Sequence, residues 1–132
     1  MTKRRLMILA IVVVSFLGLF KPAVIRTDDK TRLAAFFRWQ SGQIRFINSV
    51  TDQPVAIDFH IGRRFQAFSV STDDTTEAYY THGVYDMNAV VAKDSTDQLR
   101  FCSVQGIWLT IGFYAISVKD GCLEVGLLWT VW

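Results

Sequence analysis

Ile44-Arg45-Phe46-Ile47-Asn48-Ser49-Val50-Thr51-Asp52-Gln53-Pro54-Val55-Ala56-Ile57-Asp58-Phe59 is the stretch that decides the fold class. Ile44, Phe46 and Asn48 alternate with Arg45 and Ile47, Thr51-Asp52-Gln53-Pro54 supplies turn residues, and Val55, Ile57 and Phe59 then alternate with Ala56, Asp58 and His60. A period of two on both sides of a turn is the signature of a half-buried antiparallel hairpin, because successive strand side chains point to opposite faces. Towards the C-terminus the pattern repeats. Ile61-Gly62-Arg63-Arg64 reads as a turn, Phe65–Val70 as a short strand, and Ser71–Thr76, with Asp73 and Asp74, as a polar loop. Tyr79-Tyr80, Gly83–Ala92 and Asp97–Val104 are short extended runs. Ile107–Val118, β-branched and aromatic, predicts a central strand bent at Gly112. Lys119-Asp120-Gly121 is a turn, and Cys122–Trp132 closes the chain as a last strand. About seven or eight short strands with turns at this spacing predict a mainly β protein, an antiparallel β-sandwich over residues 43–132.

Upstream of the hairpin the period changes. Thr27-Asp28-Asp29 has the hydroxyl and carboxylates of a helix N-terminus, Leu33, Phe36, Phe37 and Gln40 fall at helical spacing, and Gly42 suits C′. This predicts a short helix over Lys30–Gln40 within a linking segment 26–42; alternation of Phe36, Arg38 and Gln40 with Phe37 and Trp39 is the competing strand pattern. Further upstream, Lys3-Arg4-Arg5 precedes Leu6–Phe20, which carries no charge and is interrupted only by Ser15 and Gly18. These are the n-region and h-region of an export signal. Small residues at −3 and −1 of a cleavage site are poorly provided, since the candidates involve Lys21 before Ala23 or Phe16 before Gly18. With Lys21 snorkelling and Ala23, Val24 and Ile25 included, the apolar stretch reaches about 20 residues, enough for a bilayer core of about 30 Å. The sequence therefore predicts an uncleaved signal anchor over residues 1–25, a transmembrane helix spanning at 6–25. Met1 would lie in the cytoplasm of a bacterial cell, and the bulk of the chain in the periplasm, as a single-pass inner-membrane protein.

Of 132 residues, 51% are apolar and 20% charged, which excludes disorder and leaves room for one domain. Lys3, Arg4 and Arg5 account for more than the whole formal net charge of +2, so the remainder is slightly acidic. Such a remainder is a poor polyanion binder and no nucleic-acid partner is expected, because duplex binding depends on neutralising phosphates. Cys102 and Cys122 both fall in the exported part, where oxidation is permitted, and are candidates for a disulfide. A plain meander would hold them more than one strand apart, so two buried thiols remain the alternative.

Catalytic signatures are sparse. The chain holds no Gly-x-Ser-x-Gly, no His-Glu-x-x-His and no phosphate-cradling glycine loop. Asp58 and His60 share a strand face, and an Asp orienting a His, with Ser69 or Ser71 nearby in sequence, is part of a hydrolytic triad; a solvated polar face is the simpler reading. Cys102, Cys122, His60 and His82 lack the spacing of a zinc site, and no metal or other cofactor is expected. Asp73, Asp74 and Glu77 read most simply as a solvated acidic loop, with calcium as the lesser reading; in a membrane-assembly subunit or an immunity protein they are candidates to face a basic partner. The aromatic content of 14% exceeds what so small a core requires. Leu123, Val125, Leu127, Trp129 and Val131 form one row of the last strand, and Leu128 and Trp132 on its other face are candidates for contact with a protein partner.

Residues 43–132 also carry a family resemblance. The Ile44–Phe59 stretch resembles the opening hairpin of small envelope β-sandwiches that begin Val-Arg-(Phe or Val)-x-Asn before a polar turn and a second alternating strand. Ile116-Ser117-Val118-Lys119-Asp120-Gly121 and Leu128-Trp129-Thr130-Val131 resemble the closing strand, turn and tryptophan-bearing last strand of the same proteins. Among them are the periplasmic accessory proteins of alginate O-acetylation, the F component. The resemblance implies a non-enzymatic role, an adaptor that holds acetyl-transfer enzymes or polysaccharide in an exopolysaccharide-modifying or export complex. A small single-span subunit of a larger membrane assembly, or an immunity protein against an envelope toxin, is the alternative that the residues alone allow.

Overall fold

A side-chain period of two governs most of the chain. The computed structural model describes residues 2–81 and 93–131. A helix, α1 (Lys3–Leu19), leads directly into strand β1 (Phe20–Thr27), followed by β2 (Thr31–Phe37), β3 (Ser41–Ile47), β4 (Pro54–Ile61) and β5 (Phe65–Ser71). A second helix, α2 (Asp74–Thr81), comes next, then β6 (Ser95–Thr96), β7 (Gln98–Ser103), β8 (Ile107–Ile111), β9 (Tyr114–Val118) and β10 (Gly121–Leu127). The strands make two antiparallel sheets, one in the order β2-β1-β10-β7 and the other β6-β5-β4-β3-β8-β9.

The inward residues of both sheets meet in one core. Ala23, Ile25, Phe36, Leu99, Leu123 and Val125 come from the first sheet; Ile44, Phe59, Ile61, Phe65, Ile107, Leu109 and Ile111 come from the second. Phe36 on β2 meets Tyr114 on β9 edge-on at 5.7 Å, and Phe46 on β3 meets Phe101 on β7 at 6.0 Å, so aromatic rings bridge the layers. This is the arrangement of a β-sandwich, in which each sheet buries one face against the other.

The hairpin quoted at the outset is β3–β4, paired from Ser41↔His60 to Ile47↔Pro54. Asn48 builds its turn: the buried side-chain Oδ1 accepts the N–H groups of Val50 (2.9 Å) and Thr51 (3.0 Å), while its own N–H donates to the Gln53 carbonyl. A short amide side chain that satisfies backbone donors two and three residues on is what this loop requires.

Three sequence expectations are corrected here. Lys30–Gln40 is no helix: β2 occupies Thr31–Phe37 and pairs along its whole length with β1, from Phe20↔Phe37 to Arg26↔Thr31. Tertiary pairing overrides the helical spacing, and the alternation of Phe36 with Phe37 is the pattern that matters. Gly42 accordingly ends nothing; it sits in β3, where a Cβ would overlap the Phe59 ring. Ile107–Val118 is two strands, because Gly112, at φ +55, opens a two-residue turn with Phe113 between Ile111 and Tyr114. The sandwich begins at Phe20, well before residue 43 and within the segment assigned to the anchor.

The predicted transmembrane helix over 6–25 is the largest correction. The helix stops at Leu19, and among the described residues no helix is long and apolar enough to cross a membrane. Leu6–Leu19 at 1.5 Å per residue measures roughly 21 Å against about 30 Å of hydrocarbon. Phe20–Ile25 are drawn into β1, where Ala23 and Ile25 are core. Gly83–Ala92, expected to be extended, lie outside the described residues, and Tyr79-Tyr80, also expected to be extended, belong to α2.

Candidate functional site

The strand directions gather at one end of the sandwich the α1–β1 junction, the turns at 38–40, 62–64 and 112–113, and the tail 128–131. Hydrogen bonds tie these segments together. Arg38 N–H donates to the Leu19 carbonyl at 2.8 Å, Ile61 N–H to Gln40 at 2.9 Å, Gly112 N–H to Ser41 at 3.1 Å, and Leu128 N–H to Pro22 at 3.0 Å.

An aromatic collar surrounds the helix exit at this end. Phe16, in the last turns of α1, stacks on Phe20 at 5.5 Å and meets Phe37 at 6.0 Å; Phe37 stacks on Trp39 at 5.2 Å, and Phe20 meets Trp129 edge-on at 6.0 Å. Trp39 is 64% exposed, and Phe113, Leu128 and Val131 are exposed at the same pole.

Beneath the collar lies Lys21. It shares the inward face of β1 with Ala23 and Ile25 and is wholly buried. Its ammonium donates to the carbonyls of Arg63 (2.9 Å) and Trp129 (2.6 Å), thereby holding the 62–64 turn and the tail against β1. Pro22 accepts the Leu128 N–H but has no N–H to return to β10, and the Lys21 ammonium holds the Trp129 carbonyl one residue further along the tail. Burial, and then the guanidinium groups of Arg38 and Arg63, lower the Lys21 pKa. A folded-state pKa below the unfolded one means that the unfolded chain binds more protons between the two values. Stability contributed through Lys21 therefore rises with pH on the way to the unfolded value of 10.5. Lys21→Met should abolish that alkaline gain relative to the parent chain, measured by urea unfolding at neutral and alkaline pH.

Charge is distributed unequally between the ends. Lys21, Arg38, Arg63 and Arg64 gather at the helix-exit pole, where Arg64 lies 3.9 Å from Asp97. At the opposite pole the β1–β2, β3–β4 and β9–β10 turns and the start of α2 carry Asp28, Asp29, Asp52, Asp73, Asp74 and Asp120, relieved by Lys30 and Lys119. Part of that acidity is structural. Asp73 caps α2, its Oδ1 accepting the Thr76 N–H at 3.2 Å, and the Thr76 hydroxyl holds its carboxyl below the usual range. Asp74 and Glu77 occupy the first turn of α2, where carboxylates complement the positive end of the helix. The expected loop over Ser71–Thr76 is thus a strand end and a capped helix start. Among the described residues no group of three or more His, Cys, Asp or Glu could hold a metal ion.

Cys102 and Cys122 are joined by a disulfide. The hairpin β8–β9 that separates them in sequence belongs to the other sheet, so β7 and β10 pair directly, with Cys102 opposite Cys122. Replacing both with Ser should cost about 3 kcal/mol, since it frees a loop of comparable length to those for which the chain-entropy model gives that value; chemical denaturation of the oxidised parent and the double variant measures it.

The remaining candidates are not brought together. The Asp58 carboxylate accepts from Gln43 at 2.8 Å, with Ser69 opposite it on β5. A register shift between Asp58 and His60 leaves His60 opposite Gln66 and exposed. Ser71 pairs with Ala56. Leu128 is exposed beyond the end of β10, so the alternation that assigned it and Trp132 to one strand face does not apply; Trp132 itself and His82 lie outside the described residues. Trp129 likewise leaves the buried row for the collar. Arg38, Arg63 and Phe113 were missed by sequence reasoning, and Lys21 was read only as the snorkelling end of the apolar segment. The signal for Lys21 was the alternation Lys21, Ala23, Ile25, directly after the uncharged run that ends at Phe20.

No protein-family model matches the chain, and neither a curated protein nor a solved structure matches it significantly.

Proposed function

We propose that this chain is a non-enzymatic adaptor whose α1 lies in lipid, although as a regular helix it is too short to cross the bilayer alone, and whose β-sandwich stands on the periplasmic side of the bacterial inner membrane, in a complex that modifies exopolysaccharide by O-acetylation. One observation carries the reading: beyond Lys3-Arg4-Arg5, α1 is uncharged around its circumference, none of its residues is buried, and it enters the central strand β1 without a linker. A helix of that kind needs lipid or another apolar partner to cover it. Its removal at Ala23 would cut a strand paired on both sides, which favours its retention. The disulfide supports an oxidising compartment, and the resemblance of the β3–β4 hairpin and the closing strands supports the O-acetylation pathway.

The test is extraction of cell membranes with alkaline carbonate, followed by intact mass and by affinity capture in mild detergent. The expected result is a full-length chain that stays with the membranes and captures a membrane-bound O-acyltransferase. A shortened, carbonate-soluble chain overturns the anchor, and an intact anchored chain recovered alone overturns the adaptor role.

A further inference from the structure

We propose that the helix-exit pole is itself a docking surface for anionic phospholipid headgroups, so that the sandwich sits pressed on the bilayer in one orientation. The inference rests on α1 lying in lipid and goes beyond it, since an anchored domain could equally tumble on a tether.

Three observations point to the lipid surface. The first is continuity: with no residue between Leu19 and Phe20, and with Arg38 N–H bonded to the Leu19 carbonyl, the sandwich cannot move away from the apolar helix. The second is composition. Trp39, Phe113 and Leu128 are exposed around the helix exit, with Phe16, Phe20 and Phe37 between them; the amphipathic indole of Trp39 belongs at the headgroup level of a bilayer, and the apolar Phe and Leu side chains are favoured just beneath it. The third is charge. Arg38 and Arg63 are exposed beside the collar, held by the turns that Lys21 and Gln40 organise, while Arg64 is offset by Asp97. Guanidinium groups bind phosphate oxygens with paired N–H donors, and basic residues near an anionic leaflet are drawn to it. The acidic pole lies at the far end, a strand length away, so its carboxylates are kept clear of the same leaflet. Lys21 has a positioning role here: by holding Arg63 and Trp129 to β1 it keeps the 62–64 turn and the tail level with the collar.

The test uses the full chain in vesicles of phosphatidylcholine with and without phosphatidylglycerol, a fraction of the lipid carrying bromine near the glycerol end of its chains to quench tryptophan on contact. Flotation is scored first. Failure of the chain to float overturns the reading of α1. For a chain that floats, Trp39→Phe should remove a bromine-quenched component of the emission, and Trp108→Phe should not, because Trp108 lies on β8 near the acidic pole. Arg38→Gln with Arg63→Gln should restore aqueous iodide quenching of Trp39 in the phosphatidylglycerol vesicles while flotation is retained. Floating chains whose bromine quenching ignores Trp39→Phe would overturn the docking surface and leave the anchor standing. A Trp39 open to iodide in pure lipid but protected in native membranes overturns it in favour of a protein partner.

Discussion

A chain that starts at Val24, the product of cleavage after Ala23, is expected not to fold. Such a chain loses Phe20, Lys21, Pro22 and Ala23, and with them the pairs Phe20↔Phe37, Lys21↔Phe36, Pro22↔Ala35 and Ala23↔Ala34. β1 lies inside its sheet, so both β2 and β10 would be left with unpaired backbone groups, at a cost far above that of an edge trim. Ala23 would vacate the core, and the Lys21 ammonium would no longer hold Arg63 and Trp129. A chain that starts at Phe16 keeps every one of these contacts and the aromatic stack on Phe20 and Phe37, and should unfold cooperatively in urea. Circular dichroism and a denaturant titration on the two refolded, oxidised chains compare them. A cooperative transition in the chain beginning at Val24 would show that β1 is dispensable and that the helix joins the domain only as a leader.

Phe59→Ala should be among the most damaging single changes, about 3–5 kcal/mol. Phe59 is fully buried, meets Phe65 edge-on at 5.4 Å and Phe68 at 6.1 Å, and rests on the bare backbone of Gly42. Removing the ring leaves a cavity that Gly42, having no side chain, cannot fill. The comparison is Trp108→Ala on the outward face of β8, 45% exposed, which should stay within about 1 kcal/mol of the parent. Thermal or urea unfolding of both variants gives the difference, and similar losses would mean that the inward face of β4 has been misassigned.

Most of the β-structure was legible because it is local in origin. The β3–β4 hairpin follows from period two on either side of a loop that Asn48 can organise, and the turns at Gly62-Arg63-Arg64 and Lys119-Asp120-Gly121 follow from turn chemistry. Composition likewise determined that the chain has a core and that its N-terminal run is apolar. Three features were decided only in the folded chain. β2 is a strand because β1 offers it a full-length partner, whereas Leu33, Phe36 and Phe37 fit a helix equally well when considered alone. Cys102 and Cys122 meet because β8–β9 crosses to the second sheet, a choice of sheet that no spacing encodes. The boundary between α1 and the sandwich falls at Leu19–Phe20, at the end of the uncharged run, and Phe20–Ile25 join β1 rather than the helix because Lys21 gains two carbonyl acceptors that exist only once the 62–64 turn and the tail are in place. Hydropathy reports how a segment prefers apolar surroundings to water, and lipid and protein core satisfy that preference alike; which of them takes residues 20–25 is settled by long-range hydrogen bonds that form only in the tertiary structure.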